Sequence, residues 1–350
     1  MSQLVLVVPG LVWPSPQAPH PAGEIPHDAL ARLLGRGRRH MEPAVSCEHL
    51  LARLLGMGRH VSPAALRRLG EENAGEYAQD DGKAHWLCAD PVNLSFMGVH
   101  VLLDEFNEDE GEIGAAEAAA LVAALNEEFG SLGHFSASTP TRWYLRMERP
   151  ANARFFPLDE AVCRPVQDYL PLSGEGDEHG AGYWRHMLNE IQVMLHNHPV
   201  NAAREAAGRR PINSVWFWGN GVQSTLDAPD AHGGLAVQAV DPVTRGLARA
   251  AGIEPEMPDV NRSLRADTLV VLDTLAFPVR HLDLMRWQDA LAALEQGWFS
   301  PIAQAFYRGA LHHFSLYVPG ERVGFSLTLG RGARWNFWRK PLSLADLTLI

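Results

Sequence analysis

An α/β fold, with a mostly parallel sheet flanked by helices and a smaller α+β cap inserted into it, is the expectation from three patterns in this chain. Short apolar runs recur at Leu4 to Val8, Ser214 to Trp218 and Thr268 to Asp273, and runs of that length mark strands buried on both faces. Helical segments alternate with them, among them Pro242 to Ala251, closed by Gly252, which makes βαβ material. From His85 the texture changes. Strand-like His85 to Leu94 and Val99 to Asp104, an Ala-rich helix at Ala115 to Phe129 and a strand at Thr141 to Met147 describe a small α+β unit. The core is therefore assigned to residues 1–81 and 183–350, and the cap to residues 82–182.

Taken in order, Leu4 to Val8 ends in Pro9-Gly10, a turn at the position where α/β folds place ligands. Ala29 to Leu34 and His49 to Leu55 read as helices, joined by a segment containing GRGRRH. That basic run reads as a solvated surface ahead of an anion site. Glu175 to Gly182 reads as an exposed loop. Met187, Leu188, Ile191, Met194 and Leu195 then recur at helical spacing. Pro199 interrupts, opening a second short helix that Gly208 closes. Asn201 and Arg204 stand three apart on it and project from one face. Ser214 to Trp218 feeds Gly219-Asn220-Gly221, a tight turn that lets a ligand approach the backbone.

Composition narrows the function classes. A chain of 350 residues, 46% apolar, can bury a full core. A formal net charge of -11 argues against binding a phosphate backbone. Cys47, Cys88 and Cys163 are odd in number and far apart, so neither a disulfide framework nor a zinc site is indicated. A cytoplasmic location suits them. The opening MSQLVLVVPGLVWPSP has no basic leader, and its apolar run breaks at Pro9, too short for a membrane span. No nucleic-acid or membrane partner is expected.

One set of motifs carries a resemblance. Asn201, Arg204, Gly208, Pro211-Ile212-Asn213 and Gly219-Asn220-Gly221, followed by VDPVTRGLARAAGIEPEMPDV, resemble the archaeal-type cofactor-independent phosphoglycerate mutases of the metal-dependent alkaline phosphatase superfamily. HPVNAARE and NSVWFWG are similar to a bacterial offshoot, the "regulatory protein of RpfE type" group. The resemblance implies an alkaline-phosphatase-like sheet with an inserted cap, a nucleophilic serine and two divalent metals. It also implies a substrate-binding arginine late in the cap, which Arg142 matches loosely; an exposed arginine on the sheet face is the alternative.

The implied chemistry is poorly supplied. The first strand offers no aspartate for a metal, and Ser15, Ser46 and Ser62 all lack the family's surroundings for the nucleophile. In CADPVNLSF, Asn93 and Ser95 stand where the RpfE-type group carries His and Arg, and Asp90 reads as turn chemistry before Pro91. Counted without gaps from Asp267, the metal-ligand positions fall on Leu272 and Phe277, and only His281 is met; hydrocarbon side chains cannot ligate a metal. Pro319 and Gly320 stand near the last expected pair. Asp273, His281 and Asp283 are weak candidates for a different metal site, with helix caps or surface charges as the alternative.

Among other residues, His196 and His198 flank the helix junction, His312-His313 sits too close in sequence for both rings to bind one ion from a strand, and RWNFWRKP concentrates aromatic and cationic groups. Those tryptophans are expected to bury against the sheet, with an anion or partner platform as the alternative. The reading is a phosphoglycerate-mutase-like protein of regulatory type, noncatalytic and without a metal cofactor. It binds a phosphorylated or carboxylated metabolite through Asn201, Arg204, Arg142 and the Gly219-Asn220-Gly221 segment. The alternatives are an active mutase or phosphatase using Mn or Zn in a rearranged site, and a structural protein in which the same framework only packs the interior.

Overall fold

Leu4, Leu6 and Val7 have no solvent exposure, as a strand covered on both faces requires. They belong to the first of thirteen strands seen among the described residues of this computed structural model: 2–14, 21–24, 27–57, 62–71, 84–108, 110–174, 180–222, 234–320 and 323–347. In chain order these are β1 (Gln3–Val7), β2 (Arg38–Pro43), β3 (His85–Met97), β4 (His100–Glu105), β5 (His134–Thr139), β6 (Arg142–Met147), β7 (Ala153–Arg154), β8 (Leu172–Ser173), β9 (Ser214–Val222), β10 (Ala236–Gln238), β11 (Thr268–Val271), β12 (His313–Val318) and β13 (Val323–Leu329). The chain divides into two units, Met1–Arg59 with Leu226–Ile350, and His60–Thr225.

The first unit holds the expected α/β sheet, in the order β10-β11-β1-β12-β13-β2. The strands β10, β11, β1 and β12 run parallel, whereas β13 and β2 close one side antiparallel. Its apolar core joins Leu4 and Leu6 to Leu30 and Leu33 of the helix Asp28–Arg36 and to Trp287 and Phe306 from the helices Leu284–Leu294 and Ser300–Arg308. Pro242–Ala250 forms the expected helix, capped by Asp241 accepting from the Thr244 amide. At the ends of the parallel strands two loops meet. Gly10, at φ +77°, approaches the Leu275 backbone so closely that a Cβ there would lie 2.6 Å from its carbonyl oxygen, and the buried Trp287 indole donates to the Gly10 carbonyl at 2.9 Å.

The second unit is built on an antiparallel sheet, β4-β3-β6-β5, with β9 along the other edge of β3. The structure groups the chain differently from the expected 82–182 cap, because the helices Pro63–Gly70, Gly180–Asn197 and Pro199–Ala206 and the strand β9 all belong here. The reason lies in β9. Helices pack against it from Pro63–Gly70 and Gly180–Asn197, so Val215, Trp216, Phe217 and Trp218 are all buried. Burial on both faces produces the same unbroken apolar run whether the partners are parallel or antiparallel. Pro199 opens its helix at the first turn, and Gly208 follows it at φ +70°, both as expected. Residues 180–182, expected in a loop, begin a helix; the rest of that loop lies outside the described residues.

The helix Asp28–Arg36 has no side-chain cap from its N-cap residue His27. Glu295, only 8% exposed, supplies one from afar: its carboxylate accepts from the Ala29 amide at 2.6 Å and the Leu30 amide at 3.2 Å. A carboxylate there satisfies orphan donors and meets the positive end of the helix dipole. Glu295→Ala is expected to lower stability by about 1–2 kcal/mol, measured as a shift of the denaturant midpoint at unchanged slope.

Candidate functional site

A connected array of charged side chains lies inside the second unit. Arg67, on the helix Pro63–Gly70, forms a two-pronged ion pair with Asp90 of β3, both distances being 2.7 Å. Asp90 also accepts from the Trp218 indole at 2.8 Å and the Trp143 amide at 3.2 Å. Arg67 donates to the Tyr144 hydroxyl at 3.0 Å, and that hydroxyl donates to Glu71 at 2.6 Å. Glu71 in turn receives Arg142 through two nitrogens at 2.9 and 3.1 Å. Arg142 reaches Glu108 at its other end.

Arg67, Asp90 and Glu71 are all buried, so each charge stands only because the next one answers it. Burial by itself would lower the Arg67 pKa, but Asp90 outweighs it and holds the guanidinium well above its ordinary value. Burial pushes the Tyr144 hydroxyl well up, against the opposing pull of Arg67. The Cys88 thiol is raised for the same first reason, which makes it inert rather than reactive. Arg67 further lies over the rings of Tyr144 and Trp218, at 4.7 and 5.1 Å. Such an array fastens a helix to a sheet.

The residues expected to bind a ligand fall into three places. Asn201 donates to the carbonyls of Leu195 and Ile212 at 2.7 and 2.8 Å and accepts from the Ile212 amide at 2.7 Å. It ties the end of one helix to the approach of β9. Arg204, 1% exposed, donates to the carbonyls of Arg210 and Glu112 and to the Glu117 carboxylate at 2.8 Å. It faces a filled interior. Burial opposes ionisation of Glu117, yet the Gly114 amide and the guanidiniums of Arg209 and Arg204 hold its carboxyl below the usual range.

Gly219, Asn220 and Gly221 do not form the expected turn. They continue β9 through an irregularity in its pairing with β3. Gly219 has φ +71°, and a Cβ on it would sit 2.9 Å from the Ala64 amide nitrogen; on Gly221 it would meet Ser62 at 2.7 Å. What approaches this backbone is another part of the same unit. Arg142 is committed to Glu71 and Glu108, as described above.

Ser62, Ser46 and Asp283 serve as helix caps. Ser62 caps the helix Pro63–Gly70 and donates to the Gly219 carbonyl at 3.1 Å; Ser46 caps Cys47–Leu54; Ser15 lies outside the described residues. Asp283 caps Leu284–Leu294 by accepting from the Arg286 amide at 3.0 Å. His281 stacks on Phe277, with ring centroids 4.2 Å apart. Asp273, His281 and Asp283 do not bring ligand atoms within 4.8 Å of one another, so these donors do not fit a metal as a group. His198 caps its helix, accepting from the Val200 amide. The residues that sequence reasoning missed are Arg67, Glu71 and Tyr144, together with the buried pairing of Asp90. The available signal was a carboxylate within the apolar run WLCADPV, since a charge in a buried strand demands a partner.

The fold is mixed α/β, and the chain has relatives. Residues 100–201 match the family model for 2,3-bisphosphoglycerate-independent phosphoglycerate mutase, a stretch that lies within the second unit. The chain is 29% identical over 193 residues to 2,3-bisphosphoglycerate-independent phosphoglycerate mutase 2 of Methanothermobacter thermautotrophicus, covering 50% of this chain and 47% of that protein. It is 34% identical over 101 residues to a probable 2,3-bisphosphoglycerate-independent phosphoglycerate mutase of Geobacter sulfurreducens, covering 28% and 24%. The matched part thus spans about half the length of the first relative and about a quarter of the second. The PH0037 protein from Pyrococcus horikoshii has a similar fold, with a TM-score of 0.54 at 11% identity over 99% of this chain and 92% of that one. These matches support a divergent relationship to the cofactor-independent phosphoglycerate mutases.

Two outcomes are expected from this arrangement. Asp90→Ala strands a buried guanidinium and is expected to cost about 3–5 kcal/mol, whereas the double change Arg67→Met with Asp90→Leu removes both charges and costs far less; urea unfolding of both variants checks it. Because the Glu117 carboxyl is held below its ordinary 4.5, its contribution is complete above that pH and is lost as pH falls through the lower folded value. The stability gap between the wild type and Glu117→Gln is therefore expected to close on acidification, as read by denaturant titrations along a pH series.

Proposed function

We propose that this chain is a phosphoglycerate-mutase-like protein that does not transfer phosphoryl groups and that acts in regulation, as the RpfE-type resemblance implies. One observation carries the reading. The end of the parallel sheet, where an open α/β fold would receive its ligand, is filled by the chain itself: Gly10 lies against Leu275, Trp287 donates to the Gly10 carbonyl, and Leu272 is buried beyond β11. Two-metal phosphoryl transfer needs oxygen and nitrogen donors gathered at such a place. Leu272 and Phe277 supply neither.

The reading includes no divalent-metal cofactor. It retains Asn201 and Arg204 as an internal brace, because the anion that Arg204 would have bound is replaced by the Glu117 carboxylate. An anionic metabolite remains the proposed ligand class on the strength of the mutase relationship, at a place other than Arg204.

The test is elemental analysis of the purified protein, after growth with added manganese and zinc, combined with a phosphoglycerate turnover assay. Sub-stoichiometric metal and no turnover are expected. Stoichiometric Mn or Zn together with turnover would establish the alternative, an active enzyme with a rearranged site.

A further inference from the structure

Two basic segments far apart in the sequence share one region of the first unit. The register of β13 on β2 sets Leu327 opposite Arg39 and Thr328 opposite Arg38, just before the chain turns into the single-turn helix Arg331–Trp335. Farther on, the backbone at Lys340 and Pro341 lies so close to Gly35 that a Cβ there would collide with the Lys340 carbonyl, and the Leu342 amide donates to the Ala31 carbonyl at 2.9 Å. The GRGRRH run and the RWNFWRKP segment are thereby neighbours.

Arg38, Arg39, Arg339 and Lys340 are all exposed, and among the described residues none of them is in an ion pair. No carboxylate occurs from Val323 to Ala345 in a chain whose net charge is -11. Within this cationic setting three rings are turned outward: Trp335, Phe337 and Trp338 are 63%, 73% and 68% exposed. The expectation that the tryptophans bury against the sheet therefore fails for these two.

We propose that this edge of the sheet, formed by β2 and the segment beside it, docks on an anionic lipid surface, the aromatic rings entering the interface and the cations meeting the headgroups. Charge complementarity favours it: near the surface, screening within about 8 Å lets the local cations outweigh the distant net charge, and basic residues beside a membrane attract anionic lipid. Exposed tryptophan and phenylalanine within a basic segment suit the water–lipid boundary. Ring geometry separates this from single-stranded nucleic acid. Phe337 and Trp338 meet edge to face, 5.5 Å apart at 77°, so they do not offer the successive parallel faces on which bases stack. The proposal departs from the expected lack of a membrane partner, and it stands independently of any mutase relationship.

Flotation of the full chain with vesicles tests it. Association is expected with phosphatidylcholine vesicles containing about one-third phosphatidylglycerol, little with pure phosphatidylcholine, and release at high salt. Trp335→Ala with Phe337→Ala and Trp338→Ala, and separately Arg339→Glu with Lys340→Glu, are each expected to weaken association about tenfold at an unchanged melting temperature. Should either variant melt early, Arg38→Glu with Arg39→Glu, on the other segment, provides the same reading. Failure to float with anionic vesicles, equal association with neutral ones, or association that these variants retain overturns the proposal. So does binding to oligodeoxythymidine or polyglutamate in preference to vesicles.

Discussion

A guanidinium buried between a helix and a sheet cannot be left without a counter-charge, and in the second unit this requirement organises everything around Arg67. Desolvating an arginine and an aspartate costs several kcal/mol for each ion. The cost is offset only where geometry lets both ends of the guanidinium and both carboxylate oxygens find partners, as they do between Arg67 and Asp90. The consequences propagate. Asp90 draws in the Trp218 indole from β9, Tyr144 passes the polar contact on to Glu71, and Glu71 anchors Arg142. Three strands and one helix are held in register by groups that would be unstable if any one were alone.

The same logic explains why the segment carrying the family-like motifs became a brace. Asn201 can satisfy backbone groups of Leu195 and Ile212 simultaneously because a side-chain amide is both donor and acceptor. Arg204 bridges two carbonyls and a carboxylate because its fork has fixed directions. The glycines of β9 serve closeness of a different kind. At Gly219 the positive φ and the Ala64 amide both exclude a side chain, so the strand can lie directly against the start of the helix Pro63–Gly70.

Much of this fold was legible in the sequence and much of the site was not, for identifiable reasons. Pro199 and Gly208 announced their helix because proline and glycine act locally on φ. The strands β1 and β11 announced themselves by unbroken apolar runs. The partners of β9 were hidden, since an apolar run reports burial and not the direction of the neighbouring strand. Asn201 and Arg204 were correctly placed on one helical face, but a spacing of three says nothing about whether that face looks inward or outward. Asp90 reads as a turn residue before Pro91 because Arg67, the residue that answers it 23 positions earlier in the chain, cannot be paired with it by any local rule.

The polar residues of the second unit and the apolar end of the sheet in the first bear on the proposed absence of phosphoryl transfer in the same way. Acid–base or nucleophilic catalysis needs a group whose protonation can change while it touches a substrate. Among the buried groups of the second unit, Arg67 is held protonated by Asp90, and the Cys88 and Tyr144 protons are retained by burial. Lewis-acid chemistry needs converging donors; past the end of β11 the chain buries Leu272 and places the Leu275 backbone against Gly10. In both units the groups described hold the shape of the chain: buried charges answer one another in the second, and backbone packs on backbone beside Gly10 in the first.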